Sequence, residues 1–204
     1  MKPSLVLHFV RHGQSEWNAE GRVQGQTSHV PLTELGHHQA RTASRTLAHS
    51  GALAVISSDL ARAVQTAVPI ATRLGAPLQT TAALRERGLG TFEGRRSAEV
   101  WTSPAQPQWS DPDWRPPGGE STRDVYRRVA CFLTALAARP PGPVVVIVTH
   151  GDTLRIALGH LQGAGPDAIP WSQTPNGAIV TVRAGTAGDR GRRMRNTSGV
   201  TGSA

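Results

Sequence analysis

The sequence predicts an α/β protein, a three-layer α/β/α sandwich around a mostly parallel, mixed central sheet. Three observations support this. Short runs rich in Val, Leu and Ile at about 4–10, 53–57, 77–81, 143–149 and 177–183 read as strands, and the first lacks clean alternation, as expected of a strand buried on both faces. Between them lie longer stretches whose small or apolar residues recur at helical spacing. Alternation of the two places helices on both faces of a parallel sheet.

Taken in order, the first strand runs straight into Arg11, His12 and Gly13, on the usual ligand side of such a sheet. Thr33 can cap a helix reaching about residue 49, with Gly36, Ala40, Ala43 and Leu47 along one face. Asp59 is the expected cap of the next, which carries Leu60, Ala63, Val64, Ala67, Ala71 and Leu74 inward, is kinked at Pro69 and stops at Gly75. Ser121 precedes a third, whose Val125, Val129, Phe132, Leu133 and Leu136 face the core until Pro140. Residues 101–118 hold Trp101, Trp109 and Trp114 among several prolines and read as a long ordered loop or short helices. A last edge strand is expected around 191–196, with a disordered tail at 197–204, so residues 1–196 form one domain. No internal repeat is visible.

Composition narrows the function classes. A single cysteine, Cys131, excludes an intrachain disulfide, suits a reducing compartment, and sits on an apolar helix stripe where a buried thiol is expected. The amino-terminal apolar run is short and broken by His8 and Arg11, so neither a signal peptide nor a membrane span fits, and the cytoplasm is the default address. Net charge is +8, which raises the question of nucleic acid. Half of that excess, however, comes from Arg183 onward, aromatic content is only 4%, and no nucleic-acid motif is present, so a solvated basic tail is the better account. No membrane partner is expected either. A basic surface would draw in a small anionic substrate.

The chemistry begins with RHGQSEWN at 11–18. It is followed, in order, by GRVQGQTSHVPLTELG at 21–36, SSDLARAVQTA at 57–67, LRERGLGTFEG at 84–94, GGES at 118–121 and VVVIVTHGD at 144–152. This series resembles the histidine phosphatase superfamily, which contains the phosphoglycerate mutases and many small phosphatases. The resemblance implies a phosphoglycerate mutase-like fold and a phosphohistidine intermediate on His12, whose second ring nitrogen should donate to a carbonyl, such as that of a nearby glycine. Using an imidazole nucleophile splits a hard hydrolysis into two easier transfers. The transferred group spreads negative charge over three oxygens, and Arg11 and Arg62 offer planar forks to hold them. His150, at the end of a strand, should emerge beside His12 as a further donor, either as imidazolium or as a neutral N–H. Asn18, Gln24, Gly25 and Gly151 match positions at or near the family's phosphate contacts.

The departing alkoxide needs a proton, and the family match assigns that task to Glu86, with Glu93 as rival. A carboxyl acts as an acid only when protonated part of the time, which burial or bound phosphate would promote. Glu93 also has a plainer reading, as a structural hydrogen-bond acceptor. No metal is expected, because His37 and His38 are adjacent on an exposed helix face and no HxxxH or Cys/His spacing occurs; no cofactor is expected either. Family mutases resemble a form with ERHYG after the acid and carry extra sequence enclosing the substrate, whereas RGLGTFEG stands here. The resemblance therefore implies a phosphatase acting on a small phosphorylated metabolite, such as a sugar phosphate. A phosphoglycerate mutase and a non-catalytic phosphate-binding regulator are the alternatives. Trp109 and Trp114, with the turn at 116–121, are expected to form part of a lid over the leaving group. The oligomeric state stays open, family analogy leaning towards a homodimer.

Overall fold

A computed structural model describes residues 5–102 and 109–184. Five strands form one sheet: β1 (Leu5–Arg11), β2 (Ala54–Ser58), β3 (Leu78–Thr81), β4 (Val144–Thr149) and β5 (Ile179–Ala184), in the order β3-β2-β4-β1-β5. All neighbours are parallel except β5, which returns antiparallel along β1. The expected sandwich and mixed sheet are therefore observed. The proposed strand at 191–196 and the tail at 197–204 lie outside the described residues.

Among the described residues there are six α-helices, α1 (Glu16–Ala19), α2 (Glu34–Thr46), α3 (Ala61–Leu74), α4 (Ser97–Trp101), α5 (Thr122–Ala138) and α6 (Gly151–Leu161), of which α2, α3, α5 and α6 pack on the sheet. Because strand side chains alternate, β4 sends Val146 and Val148 into a core with α2 and α3, and Val145 and Ile147 into a second core with α5 and α6. Thr33 caps α2 through the Gly36 amide, and Ser121 caps α5 in a capping box with Asp124. Gly75 stops α3 at φ 62°. Among the described residues no helix is long and apolar enough to cross a membrane.

Two expectations need correction. Asp59 does not cap α3: Leu60 occupies the cap without a side-chain bond, the Ala61 amide donates to the Ser28 carbonyl, and Asp59 instead forms a two-pronged pair with Arg85 at 2.7 and 2.6 Å. A guanidinium fork binds a carboxylate more strongly than a backbone amide does, so the tertiary partner wins. Cys131 is exposed rather than buried, because the inward stripe of α5 runs through Val125, Val129, Leu133 and Leu136 and passes it by.

Candidate active site

The sheet register explains why residues far apart in sequence meet. Arg11 pairs with Thr149 across β1 and β4, so the next residues, His12 and His150, leave the carboxyl edge side by side. The His12 amide donates to the Thr149 carbonyl at 2.9 Å, and the two imidazole centroids lie 5.0 Å apart. On the other flank of β4, β2 ends at Ser58, and the first turn of α3 delivers Arg62. His12, Arg62 and His150 are all buried.

Hydrogen bonds fix the histidine tautomers. His12 Nδ1 lies 2.7 Å from the Gly13 carbonyl, which can only accept, so Nδ1 carries the proton and Nε2 keeps its lone pair. This is the glycine carbonyl the sequence suggested. His150 Nε2 lies 2.8 Å from Ser58 Oγ. That oxygen also accepts from the Leu60 amide, and among the described residues the buried Ser58 hydroxyl has no acceptor other than Nε2, so its O–H donates there and His150 bears its hydrogen on Nδ1. Burial first, and then the charges of Arg62 and Arg11, hold His12 well below the ordinary imidazole range; His150 is shifted the same way by burial, Arg62 and its neighbours. Both rings are neutral at pH 7, so of the two forms considered for His150 the neutral donor is the one supported.

Arg62 is aimed by carbonyls: Nη1 donates to Thr27 at 2.9 Å and Nη2 to Gly25 at 2.8 Å. Burial lowers its pKa to about 10, leaving it cationic at neutral pH. Arg11 Nη1 donates to the Thr174 carbonyl, and burial lowers this guanidinium too. Four buried side-chain nitrogens have no protein partner among the described residues, and three belong to this cluster: Arg11 Nε, Arg62 Nε and His150 Nδ1. Buried donors are seldom left so, and three beside one nucleophilic nitrogen make a ready cradle for an oxyanion.

Glu86 stands at the amino terminus of α6. Its carboxylate accepts from the amides of Arg87, Asp152 and Thr153 at 3.0, 3.2 and 3.1 Å. A methyl group added at Gly151 would sit 3.5 Å from Arg11 Cζ and 3.6 Å from Glu86 Oε2, so this glycine forms the floor between the two. Glu93 is used differently. Its oxygens bind the Gln26 amide, the Leu89 amide and the Thr27 hydroxyl, pinning the 25–27 loop that holds Arg62. The geometry thus supports the structural reading of Glu93. Glu120 does similar work, joining Arg128, Gln26 and the Gly88 amide behind Glu86.

The remaining predicted residues fall around this centre. Asn18 Oδ1 accepts from the Ser15 amide at 3.1 Å; Gln24 Oε1 accepts from Ser15 Oγ at 2.7 Å, and Gly25 contributes through its bond to Arg62. Trp109 packs edge-on to Trp114 and Trp101, at 4.5 and 4.8 Å, and takes Arg87 on its ring at 5.3 Å. Among the described residues no group of three or more His, Cys, Asp or Glu side chains could hold a metal. Besides Ser58, one residue of the site escaped the sequence reading: Asn176 Nδ2 donates to the His12 carbonyl at 3.0 Å and reaches Asn18 Oδ1 at 3.3 Å. Its only sequence signal is the PNG turn before β5.

Fold and site together define an α/β protein built around two buried histidines and two arginines at one sheet edge. The family model for the histidine phosphatase superfamily (branch 1) matches residues 7–197, and the chain belongs to that family. "Probable phosphoglycerate mutase GpmB" of Yersinia pestis (strain Pestoides F) is 36% identical over 165 residues, covering 78% of this chain and 75% of that protein. The native mycobacterial glucosyl-3-phosphoglycerate phosphatase superposes with a TM-score of 0.78 at 32% identity, over 87% of this chain and 89% of that one. The α-ribazole phosphatase of Shigella flexneri gives 0.77 at 25% identity, over 87% and 89%.

Proposed function

We propose that the protein is a phosphomonoesterase acting on a small phosphorylated metabolite through a phosphohistidine on His12. The observation that carries this reading is the set of three unpartnered buried donors, Arg11 Nε, Arg62 Nε and His150 Nδ1, beside an imidazole whose Nε2 lone pair is free. His12 Nε2 attacks phosphorus while the ester P–O bond breaks, and the donors take up charge on the three equatorial oxygens. Glu86 gives its proton to the departing alkoxide. Its carboxylate then takes a proton from water, which attacks phosphorus, breaks the P–N bond and releases inorganic phosphate. Asn18, Gln24 and the Gly151 backbone line the phosphoryl site. Two guanidiniums already match the substrate's charge and repel a metal cation, so the reaction is metal-independent and survives chelators, while vanadate inhibits it. The single cysteine suits a cytoplasmic setting.

The mutase reading has one observation in its favour, the name carried by the Yersinia pestis relative. Here the acid is followed by Arg87-Gly88-Leu89-Gly90, and Arg87 is buried against Trp109, Trp114 and Glu120 rather than offered to a phosphoglycerate carboxylate. Phosphate release from p-nitrophenyl phosphate, with negligible interconversion of 3- and 2-phosphoglycerate, is the expected result; the reverse would establish a mutase, and neither activity a regulator. His12→Ala should abolish turnover together with an acid-labile, base-stable phosphoryl label. Glu86→Gln should slow alkyl esters far more than p-nitrophenyl phosphate, whose leaving group needs no proton, and equal losses would remove Glu86 from the acid role.

A further inference from the structure

Trp171 is the most exposed of the large apolar side chains described, at 75%, yet it is held in place. Its ring lies over the guanidinium of Arg155, 5.3 Å from Cζ to centroid. Arg155 is in turn gripped by Asp152, its Nε and Nη2 donating to Oδ1 at 3.2 and 3.1 Å, and its side chain is only 10% exposed. The Asp152 amide donates to Glu86 Oε2. Contacts therefore run outward without a break from Glu86 through Asp152 and Arg155 to Trp171. From the other side, the Thr174 carbonyl holds Arg11, and three residues span at most about 10 Å, so Trp171 stands at the rim of the same site.

The rim it occupies is the one beyond Glu86, where a leaving group must lie to receive a proton. One ring face is taken by Arg155 and the other faces solvent. Trp109 and Trp114, by contrast, turn their rings to each other, to Trp101 and to Arg87, which leaves them poorly placed to stack on a substrate. Asp152 Oδ2 makes no hydrogen bond among the described residues and can accept from hydroxyl groups. The Asp152–Arg155 pair is net neutral and calls for no second anion.

We propose that Trp171 and Asp152 form a leaving-group subsite for an uncharged, polyhydroxylated ring, so that the substrates are phosphate monoesters of sugars. The C–H face of such a ring stacks on the indole while its hydroxyls donate to Asp152. This rests on the phosphomonoesterase reading, so the two are tested apart. Hydrolysis of p-nitrophenyl phosphate by the full-length wild type judges that reading by itself. The subsite is judged by calorimetric titration of the His12→Ala protein, which binds without turnover, using glucose 6-phosphate and glycerol 3-phosphate as probes. Both are primary alkyl phosphates and differ in the ring. Glucose 6-phosphate should bind about tenfold more tightly, and Trp171→Ala in the same background should remove the difference. Asp152→Asn should remove part of it. Equal affinities, a preference that survives Trp171→Ala, or tighter binding of adenosine 5′-monophosphate than of glucose 6-phosphate would each overturn the proposal.

Discussion

Two imidazoles of the same kind are set to opposite tasks by one hydrogen bond each. The Gly13 carbonyl accepts from Nδ1 of His12 and leaves a lone pair on Nε2; the Ser58 hydroxyl donates to Nε2 of His150 and leaves Nδ1–H as a donor. The His12 bond joins chain neighbours and was legible in the sequence, whereas the His150 bond was not, because Ser58 and His150 are separated by 92 positions and meet only through the β2–β4 register. Removing the Ser58 hydroxyl lets His150 adopt either tautomer. Ser58→Ala should therefore lower kcat by about tenfold to a hundredfold with little change in folding, the usual cost of losing a group that orients another. Rescue by Ser58→Thr, which restores a hydroxyl, separates this from a packing defect; steady-state kinetics of the two variants decide it. Asn176 was missed for the same reason, its link to His12 spanning 164 positions.

At the level of elements, the five described strands and the three long helices from Thr33, after Asp59 and from Ser121 were legible because apolar periodicity is written locally. What failed was local as well: the Asp59 cap lost to Arg85, and the Cys131 stripe was misjudged by one helical position. The glycines illustrate the boundary. Gly13 and Gly36 stood in quoted motifs, yet their function is a backbone-to-backbone contact that no periodicity encodes. A methyl at Gly36 would lie 2.0 Å from the Gln14 carbonyl, and one at Gly13 would lie 2.4 Å from the Gly36 carbonyl. The loop carrying His12 therefore rests directly on the first turn of α2. Gly36→Ala must push that loop away and should cost about 1–3 kcal/mol of stability and most of the activity. Gly75→Ala meets nothing within 4 Å but is strained at φ 62°, so it should cost about 1 kcal/mol and leave kcat intact. Thermal melts paired with kcat for both variants test the contrast.

Across the whole molecule, the sheet edge gathers the buried guanidinium of Arg62, the half-buried one of Arg11 and two buried neutral rings, an arrangement that favours an anion and disfavours any additional proton. The consequence for folding has a definite sign. His12 and His150 have folded pKa values well below 6.5, so between that lower range and about pH 6.5 the unfolded chain binds protons that the native state refuses. Stability is fully present above about pH 6.5 and falls as pH drops, by up to about 1.4 kcal/mol per pH unit for each ring. His8 and His160, lowered mainly by partial burial, act in the same direction. Asp59, held below its ordinary 3.8 by Arg85, loses its contribution only at still lower pH and stays out of this window. Chemical denaturation at about pH 7.5 and about pH 5.5 should therefore show a marked loss at the lower value, roughly halved in a His150→Gln variant. Saturating phosphate at the higher pH should raise the midpoint of the wild type through preferential binding to the native state. A wild-type stability flat across that interval would mean that the two rings accept protons in place, and the neutral nucleophile and donor inferred from their hydrogen bonds would have to be given up.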